Sequence, residues 1–208
     1  MTPAAVREAQ AEGALLVDTR PIATYAAAHL PGALPIEFNL ADLSERAALL
    51  LPAGRTLVVH AEPDSTIAPS VGLLEDAGFR VAGHLDGGLA AWRSGGQATA
   101  RLEVLAVETL RGSGAACHIL DVREPYEYRH GHLDGAILLP SGEAFARIGT
   151  AEWVAANDGR PYAVLCSGWG RAAFVAGLLR ARAIPAVLVA GGMYAWAERG
   201  YPVVSGGD

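Results

Sequence analysis

The sequence contains no lysine, and its 16 basic residues, all arginines, are outnumbered by 22 acids. The arginines are spread along the chain, so the clustered basic footprint of a nucleic-acid-binding protein is missing and nucleic acid is not expected as a partner. No apolar run reaches the roughly 18 to 20 residues of a membrane-spanning helix, and the first residues do not have the pattern of a signal peptide. We therefore expect no membrane association and a cytoplasmic location.

Cysteine is also scarce. Cys117 and Cys166 alone cannot build a disulfide framework, and a reducing compartment disfavours a single bridge between them. Cys117 precedes a predicted strand and is interpreted as a small buried apolar residue. His130 and His132 follow it in sequence, but Cys117 lies at the wrong end of the strand to join them at a metal ion. No metal and no cofactor is predicted.

What the sequence does contain is a repeat that spans almost its whole length. Four pairs of residues stand 103 positions apart, namely Asp18 and Asp121, Arg20 and Arg123, His29 and His132, and Gly32 and Gly135. Near the end of each half, GGLAAW matches GGMYAW. Such self-similarity indicates a duplication. The small and polar residues 94–100 predict an exposed connector, so we predict one domain over residues 1–97 and another over residues 98–208.

Short apolar runs followed by polar or turn residues predict buried strands, and alanine-rich segments between them predict helices. The predicted strands are 15–18, 56–60 and 81–85 in the first half, and 119–122, 162–165 and 186–189 in the second. Strands that alternate with helices predict an α/β fold in which each half is a small, mainly parallel sheet flanked by helices. Because His29 and His132 recur in both halves, they are assigned a fold role, and Trp92 and Trp196 are predicted to be core residues.

The segment LCSGWGRAAF places Cys166 directly after a predicted strand and before a predicted helix. Ligands of parallel sheets bind at this edge. The amides of the loop can surround the sulfur, while the helix start and an arginine add positive charge. The loop consists of Ser167, Gly168, Trp169, Gly170 and Arg171. Since such a field favours the thiolate, Cys166 is the predicted nucleophile.

The first half lacks this chemistry. When Leu73 and Leu74 are aligned with Leu178 and Leu179, Ala61 falls opposite Cys166. The loop AEPDSTIAP has neither cysteine nor arginine, so this half is predicted to be catalytically inactive. His60, which ends the preceding strand, has no nucleophile beside it and is interpreted as a structural residue.

Four features together resemble the rhodanese superfamily over both halves. They are an Asp-x-Arg strand end at Asp121 and Arg123, the segment GHLDGA from Gly131, a cysteine loop between strand and helix, and a Gly-Gly-x-x-x-Trp ending. The resemblance implies a sulfurtransferase in which Cys166 takes sulfane sulfur from thiosulfate, or from 3-mercaptopyruvate, as a persulfide. It implies that a thiol, a protein thiol or cyanide then accepts the sulfur. It also implies that Ser167 to Arg171 form the amide cradle, that Arg171 contacts the charged end of the donor, and that Asp121 and Arg123 are structural.

Two other functions stay open at this point. Four residues separate Cys166 from Arg171, whereas related phosphatases and arsenate reductases have five, which favours sulfur transfer over dephosphorylation. Rhodanese loops often carry glycine where this sequence has Trp169. The indole and the inactive first half support a second hypothesis, a low-turnover sulfur carrier or a regulatory rhodanese-like module that binds a partner.

Overall fold

The structure, a computed structural model, describes residues 1–112, 116–156 and 158–206. It divides into two compact units, Met1–Arg101 and Leu102–Asp208. The predicted connector at residues 94–100 lies at the end of the first unit. In the described part of the chain, every helix is too short or too polar to cross a membrane.

The first unit is a four-stranded parallel sheet in the order β2-β1-β3-β4, flanked by helices. Short β1 and β3 are fully apolar at their centres, which is why they occupy the middle of the sheet. Its elements are α1 Pro3–Ala11, β1 Leu15–Asp18, α2 Ile22–Ala27, β2 Leu34–Pro35, α3 Leu43–Leu50, β3 Thr56–His60, α4 Ile67–Asp76, β4 Arg80–His84 and α5 Gly88–Ser94.

The second unit is a five-stranded parallel sheet in the order β5-β9-β8-β6-β7. Its elements are β5 Val104–Leu105, α6 Val107–Gly112, β6 His118–Asp121, α7 Pro125–His130, β7 Ile137–Leu138, α8 Ser141–Arg147, α9 Ala151–Ala156, β8 Tyr162–Leu165, α10 Gly170–Ala181, β9 Ala186–Val189 and α11 Gly192–Glu198. The prediction of two α/β halves with parallel sheets is confirmed. Strands β4 and β6 begin and end one residue earlier than predicted.

The core of the second unit forms around β8 and the helix that follows it. All residues of β8 are buried, and so are eight successive residues of α10, from Ala172 to Leu179. Alanine and glycine make up half of that stretch, so α10 can approach β8 and β9 closely. Burying Phe174, Leu178 or Leu179 contributes about 1.5–3 kcal/mol per side chain. This packing fixes the end of β8 and the start of α10, between which the cysteine loop runs.

An aspartate and an arginine tie the end of a strand to the next turn in each unit. In the second unit, Arg123 donates to both carboxylate oxygens of Asp121, with Nη2–Oδ2 at 2.6 Å, and also to the Gly131 carbonyl. Arg20 makes the same bidentate contact with Asp18 in the first unit, again at 2.6 Å. All four side chains are buried. The pair therefore belongs to the frame of the fold and does not depend on the presence of the cysteine.

Histidine and tryptophan also recur as internal contacts. His132 Nδ1 lies 2.9 Å from the Tyr128 carbonyl and its ring stacks on that tyrosine, as His29 does on Tyr25. Trp92 and Trp196 are buried, as predicted. The indole of Trp196 donates to the Pro202 carbonyl.

Candidate active site

Cys166 directly follows the carboxyl end of β8, the strand that lies between β6 and β9 in the sheet. Its side chain is buried, with a relative exposure of 2%. The backbone amides of Gly168 and Ala172 donate hydrogen bonds to the sulfur. One of these donors lies within the predicted cradle Ser167 to Arg171 and the other lies one residue beyond it, in the first turn of α10.

The loop favours the thiolate as expected, but burial of the sulfur opposes it. Burial raises the pKa of the Cys166 thiol, and the amides of Ala172 and Gly168 together with the charge of Arg171 lower it by less. The net shift is upward because removing a charged sulfur from water costs more than these contacts return. Burial therefore favours the neutral thiol, while the amides and Arg171 favour a negatively charged sulfur.

The start of α11 holds the loop from the other side. The amides of Met193 and Tyr194 donate to the carbonyls of Cys166 and Ser167 at 2.8 and 2.9 Å. Gly192 has φ +52°, and a Cβ atom at this position would overlap the Cys166 carbonyl oxygen. Only glycine allows the helix start to approach the loop so closely. This is the physical basis of the second glycine in the Gly-Gly-x-x-x-Trp pattern.

The guanidinium of Arg171 is engaged in an ion pair with Glu127. Its Nη1 and Nη2 donate to the two carboxylate oxygens of Glu127 at 2.7 and 2.9 Å, and Nη2 also donates to Ser167 Oγ. The Ser167 hydroxyl donates to the same carboxylate at 2.7 Å. These contacts, Arg171 first, lower the pKa of Glu127 to about 2, and Glu127 raises the pKa of Arg171. In this structure the guanidinium of Arg171 forms an ion pair with Glu127, and its contact with the charged end of a donor stays a prediction.

Glu127 is the site residue that sequence reasoning missed. It lies at the third position of α7, where its carboxylate also accepts the amide of Glu124 in a capping box. An acid three residues after a helix N-cap is a pattern that can be recognised in the sequence. That signal identifies the helix start and not the partner 44 residues further along the chain, because such a contact exists only after the sheet has formed.

Exposed aromatic side chains lie on the loop and on α7 and α11, the helices that contact it. Trp169 is 40% exposed and Tyr194 is 68% exposed. The ring of Tyr194 lies beside Gly168, with two ring carbons 3.8 and 3.9 Å from where a Cβ of that glycine would be. Tyr126, one residue before Glu127, is 60% exposed. We call Tyr126, Trp169 and Tyr194 the aromatic rim.

The corresponding loop of the first unit is built differently. Asp18 pairs with His60 across β1 and β3, and Asp121 pairs with Leu165 across β6 and β8. The residue after β3, Ala61, therefore occupies the place that Cys166 occupies after β8.

In the loop of the first unit, the carboxylate of Glu62 contacts the start of α5. Glu62 Oε1 accepts a hydrogen bond from the backbone amide of Leu89, in the first turn of α5, at 3.1 Å. In the second unit, the first turn of α11 donates the corresponding hydrogen bond to a backbone carbonyl of the loop. The other carboxylate oxygen of Glu62 lies 3.5 Å from Arg20 Nη1. His60 is buried between Asp18 and Glu62. Its Nδ1 lies 3.3 Å from Asp18 Oδ2, and its Nε2 lies 3.3 Å from Glu62 Oε1. The loop thus ties its own acid to the start of α5.

Neither cysteine takes part in a disulfide. Among the described residues, no group of three histidine, cysteine or acidic side chains is arranged to hold a metal ion. His130 and His132 each lie against a backbone carbonyl of α7.

A family model described as a Rhodanese-like domain matches the chain twice, at residues 2–95 and 106–199. The chain belongs to the rhodanese family. The two matches cover both units, so the duplication seen in the sequence is a tandem of rhodanese-like domains. Cys166 lies in the loop after β8 of the second rhodanese-like domain.

Solved structures show similarity at modest identity. A rhodanese-related protein from Thermoplasma volcanium is 31% identical over 49% of this chain and 97% of its own, with a TM-score of 0.44. A rhodanese-like domain protein from Staphylococcus aureus is 27% identical over 51% of this chain and 100% of its own, with a TM-score of 0.44. A thiosulfate sulfurtransferase from Pseudomonas aeruginosa is 24% identical over 100% of this chain but only 43% of its own length, with a TM-score of 0.43. A comparison with curated proteins gives no match.

Proposed function

We propose that this rhodanese is a sulfurtransferase that carries sulfane sulfur on Cys166 as a persulfide. The observation that supports the proposal most strongly is a buried cysteine at the carboxyl end of the central strand, with two backbone amides aimed at its sulfur. Within a rhodanese-like domain, this arrangement suits a sulfur nucleophile. Thiosulfate or a related compound is the donor, and cyanide, a small thiol or a protein thiol is the acceptor.

The reaction runs in two steps. Cys166 loses its proton to solvent, and the thiolate attacks the outer sulfur of the donor, forming a sulfur–sulfur bond. The bond between the outer sulfur and the rest of the donor breaks, and sulfite leaves with the electron pair when the donor is thiosulfate. The amides of Gly168 and Ala172 stabilise the negative sulfur during this step. In the second step, an acceptor nucleophile removes the outer sulfur and regenerates the Cys166 thiolate.

The size of the loop supports sulfur over phosphate as the transferred group. Four residues lie between Cys166 and Arg171, and two amides converge on the single sulfur atom. The guanidinium that would hold a phosphate is bound to Glu127. A single sulfur atom fits this cradle better than a tetrahedral phosphate does.

The first unit is assigned no sulfur transfer. Ala61 supplies no nucleophile, and the carboxylate of Glu62 puts negative charge where an anion would have to bind. We place the protein in the cytoplasm, where thiols are kept reduced.

Mass spectrometry of the intact protein tests the proposal. After incubation with a sulfane sulfur donor, we expect a gain of about 32 Da that is lost in Cys166→Ala. Cys117→Ala is the matched control, because it removes the other cysteine and should keep the gain. A gain that depends on Cys117, or no gain with any sulfane donor, would refute the proposal.

The exposed indole of Trp169 favours one alternative, a sulfur carrier that docks a partner and turns over little. Such a protein forms one persulfide per chain but produces thiocyanate slowly from cyanide, even with a sulfane donor that modifies Cys166 readily. Fast steady-state thiocyanate formation would exclude the carrier.

A further inference from the structure

The cradle of Cys166 carries no excess positive charge. Arg171 is the only charged residue from Ser167 to Arg171, and both of its terminal nitrogens contact Glu127. Glu124 adds a further negative charge close enough to act on Arg171. The nearby Arg123 is bound to Asp121. Arg123 and Arg171 stand against Asp121, Glu124 and Glu127, so these side chains together carry one net negative charge. Such a charge is unfavourable for a doubly charged anion.

Several hydrogen-bond donors around the cradle are also committed. The amides of Met193 and Tyr194 are taken by loop carbonyls, and the hydroxyl of Ser167 donates to Glu127. The amides of Gly168 and Ala172 are directed at the sulfur. These donors stabilise a sulfur atom attached to Cys166.

Three exposed aromatic side chains lie on the loop or on the helices that contact it. Trp169 and Tyr194 lie on the loop and at its α11 side, and Tyr126 lies at the α7 side, next to Glu127. Large exposed rings form patches that bind flat apolar groups. A donor that approaches Cys166 meets this aromatic rim and not a free cation.

From this combination we propose that Cys166 accepts sulfur preferentially from donors with a single negative charge and an aromatic or apolar carrier group, and only weakly from thiosulfate. The inference rests on the sulfurtransferase function proposed above and names its substrate class. Organic thiosulfonates, RSO2–S⁻, represent this class because they share the reacting sulfur with thiosulfate but replace one charged oxygen with the group R.

The transfer balances in charge and in atoms. The Cys166 thiolate bonds to the terminal sulfur of RSO2–S⁻, the sulfur–sulfur bond of the donor breaks, and the sulfinate RSO2⁻ leaves with the electron pair. Two negative charges enter the reaction and two remain, one on the persulfide and one on the sulfinate. With thiosulfate the same step brings three negative charges together beside a neutralised arginine, so the encounter is less favourable.

Three donors separate the effect of charge from that of the aromatic group. They are thiosulfate, methanethiosulfonate and benzenethiosulfonate. We would measure the rate of persulfide formation on Cys166 for each by mass spectrometry. Each rate is divided by the rate of the same donor with a small thiol in solution, which removes differences in intrinsic reactivity. We expect benzenethiosulfonate to exceed methanethiosulfonate, and methanethiosulfonate to exceed thiosulfate, each by about tenfold.

Two variants test the structural causes. Glu127→Gln leaves Arg171 with its full charge, so the thiosulfate rate should rise about tenfold relative to the methanethiosulfonate rate of the same variant. This internal ratio stays valid even if the variant loosens the loop. Glu143→Gln is the matched control, since Glu143 forms an exposed ion pair with Arg147 on α8 and should leave the ratio unchanged. Trp169→Ala should lower the advantage of benzenethiosulfonate over methanethiosulfonate.

The outcomes separate the two proposals. Normalised rates that are equal for the three donors, or highest for thiosulfate, would overturn the substrate class while keeping Cys166 as the sulfur carrier. An unchanged ratio in Glu127→Gln would likewise show that the ion pair does not set the selectivity. Failure of all three donors to modify Cys166 would instead refute the sulfurtransferase function itself.

Discussion

The sulfur of Cys166 is subject to opposing effects whose balance depends on single neighbours. Burial favours the neutral thiol, and the amides of Gly168 and Ala172 favour a charged sulfur. Arg171 contributes to the second effect, but its charge is shared with Glu127. The exchange of one carboxyl group for an amide at position 127 is therefore enough to change both the charge and the rigidity of the loop.

Acid stability reports on the same carboxylate. The pKa of Glu127 in the folded protein is about 2, below its ordinary value of 4.5, so the unfolded chain binds the proton more readily. The stability that the pair contributes is fully present above about pH 4.5 and is lost as the pH falls towards about 2. We expect the difference in melting temperature between wild type and Glu127→Gln to shrink over this range.

A series of thermal melts between neutral pH and the lowest pH at which the protein stays folded gives the measurement. The Glu143→Gln variant serves as the reference, because its ion pair is exposed and contributes little. A wild-type advantage that persists unchanged down to the acid limit would contradict the ion pair seen here.

Among the elements, the start of α11 is the one that fixes the active loop. It approaches the loop so closely that Gly192 is in contact with the carbonyl oxygens of Cys166 and Gly168. The same helix also buries Trp196 in the core of its unit. The Gly-Gly-x-x-x-Trp pattern thus couples a hydrophobic anchor to the position of the nucleophile.

Gly192→Ala should disrupt this coupling. A Cβ would overlap the Cys166 carbonyl and lie 2.8 Å from that of Gly168, and the residue has φ +52°. We expect a loss of about 3 kcal/mol in the free energy of unfolding and slower persulfide formation. Gly200→Ala is the matched control: Gly200 also has a positive φ, +63°, but nothing lies within 4 Å of its Cβ position. Its cost should be about 1 kcal/mol, for the backbone alone. Denaturant unfolding that shows equal losses for the two variants would contradict this account.

At the scale of the whole molecule, the two units are separate bodies with their own sheets. The contacts described for Cys166 and its loop come from α7, α10 and α11 of the second unit. The buried Asp–Arg pair is repeated in each unit. We therefore expect folding and chemistry to be organised unit by unit.

A chain cut at the boundary tests this organisation. We expect residues 102–208 alone to fold cooperatively and to gain about 32 Da from a thiosulfonate, as we expect of the full chain. Residues 1–101 alone should fold but gain no mass, and they provide the matched control. If the fragment of residues 102–208 is folded, as judged by circular dichroism, but forms no persulfide, the first unit contributes to the chemistry.

Much of this architecture is readable from the sequence because it depends on local patterns. The repeat, the buried strands such as β8, and the position of Cys166 between strand and helix follow from apolar runs and spacing. Strands β2, β5 and β7 have two residues each and carry too short a pattern to be recognised.

The electrostatics of the site are less readable. Whether Cys166 is a thiol or a thiolate depends on the depth of its burial, which the packing of α10 decides. The pairing of Arg171 with Glu127 joins residues from two helices that are far apart in sequence. From the sequence, Arg171 is predicted to be a free cation, and only the folded structure shows that Glu127 neutralises its charge.

The carboxylate of Glu62 has an evolutionary consequence. Because it bonds to the start of α5 beside His60 and Asp18, a cysteine introduced at Ala61 would stand among acids that oppose a thiolate. Recovery of chemistry in the first unit would require at least two exchanges, neither of which is useful without the other. The division of labour between the duplicated halves is therefore difficult to reverse by single mutations.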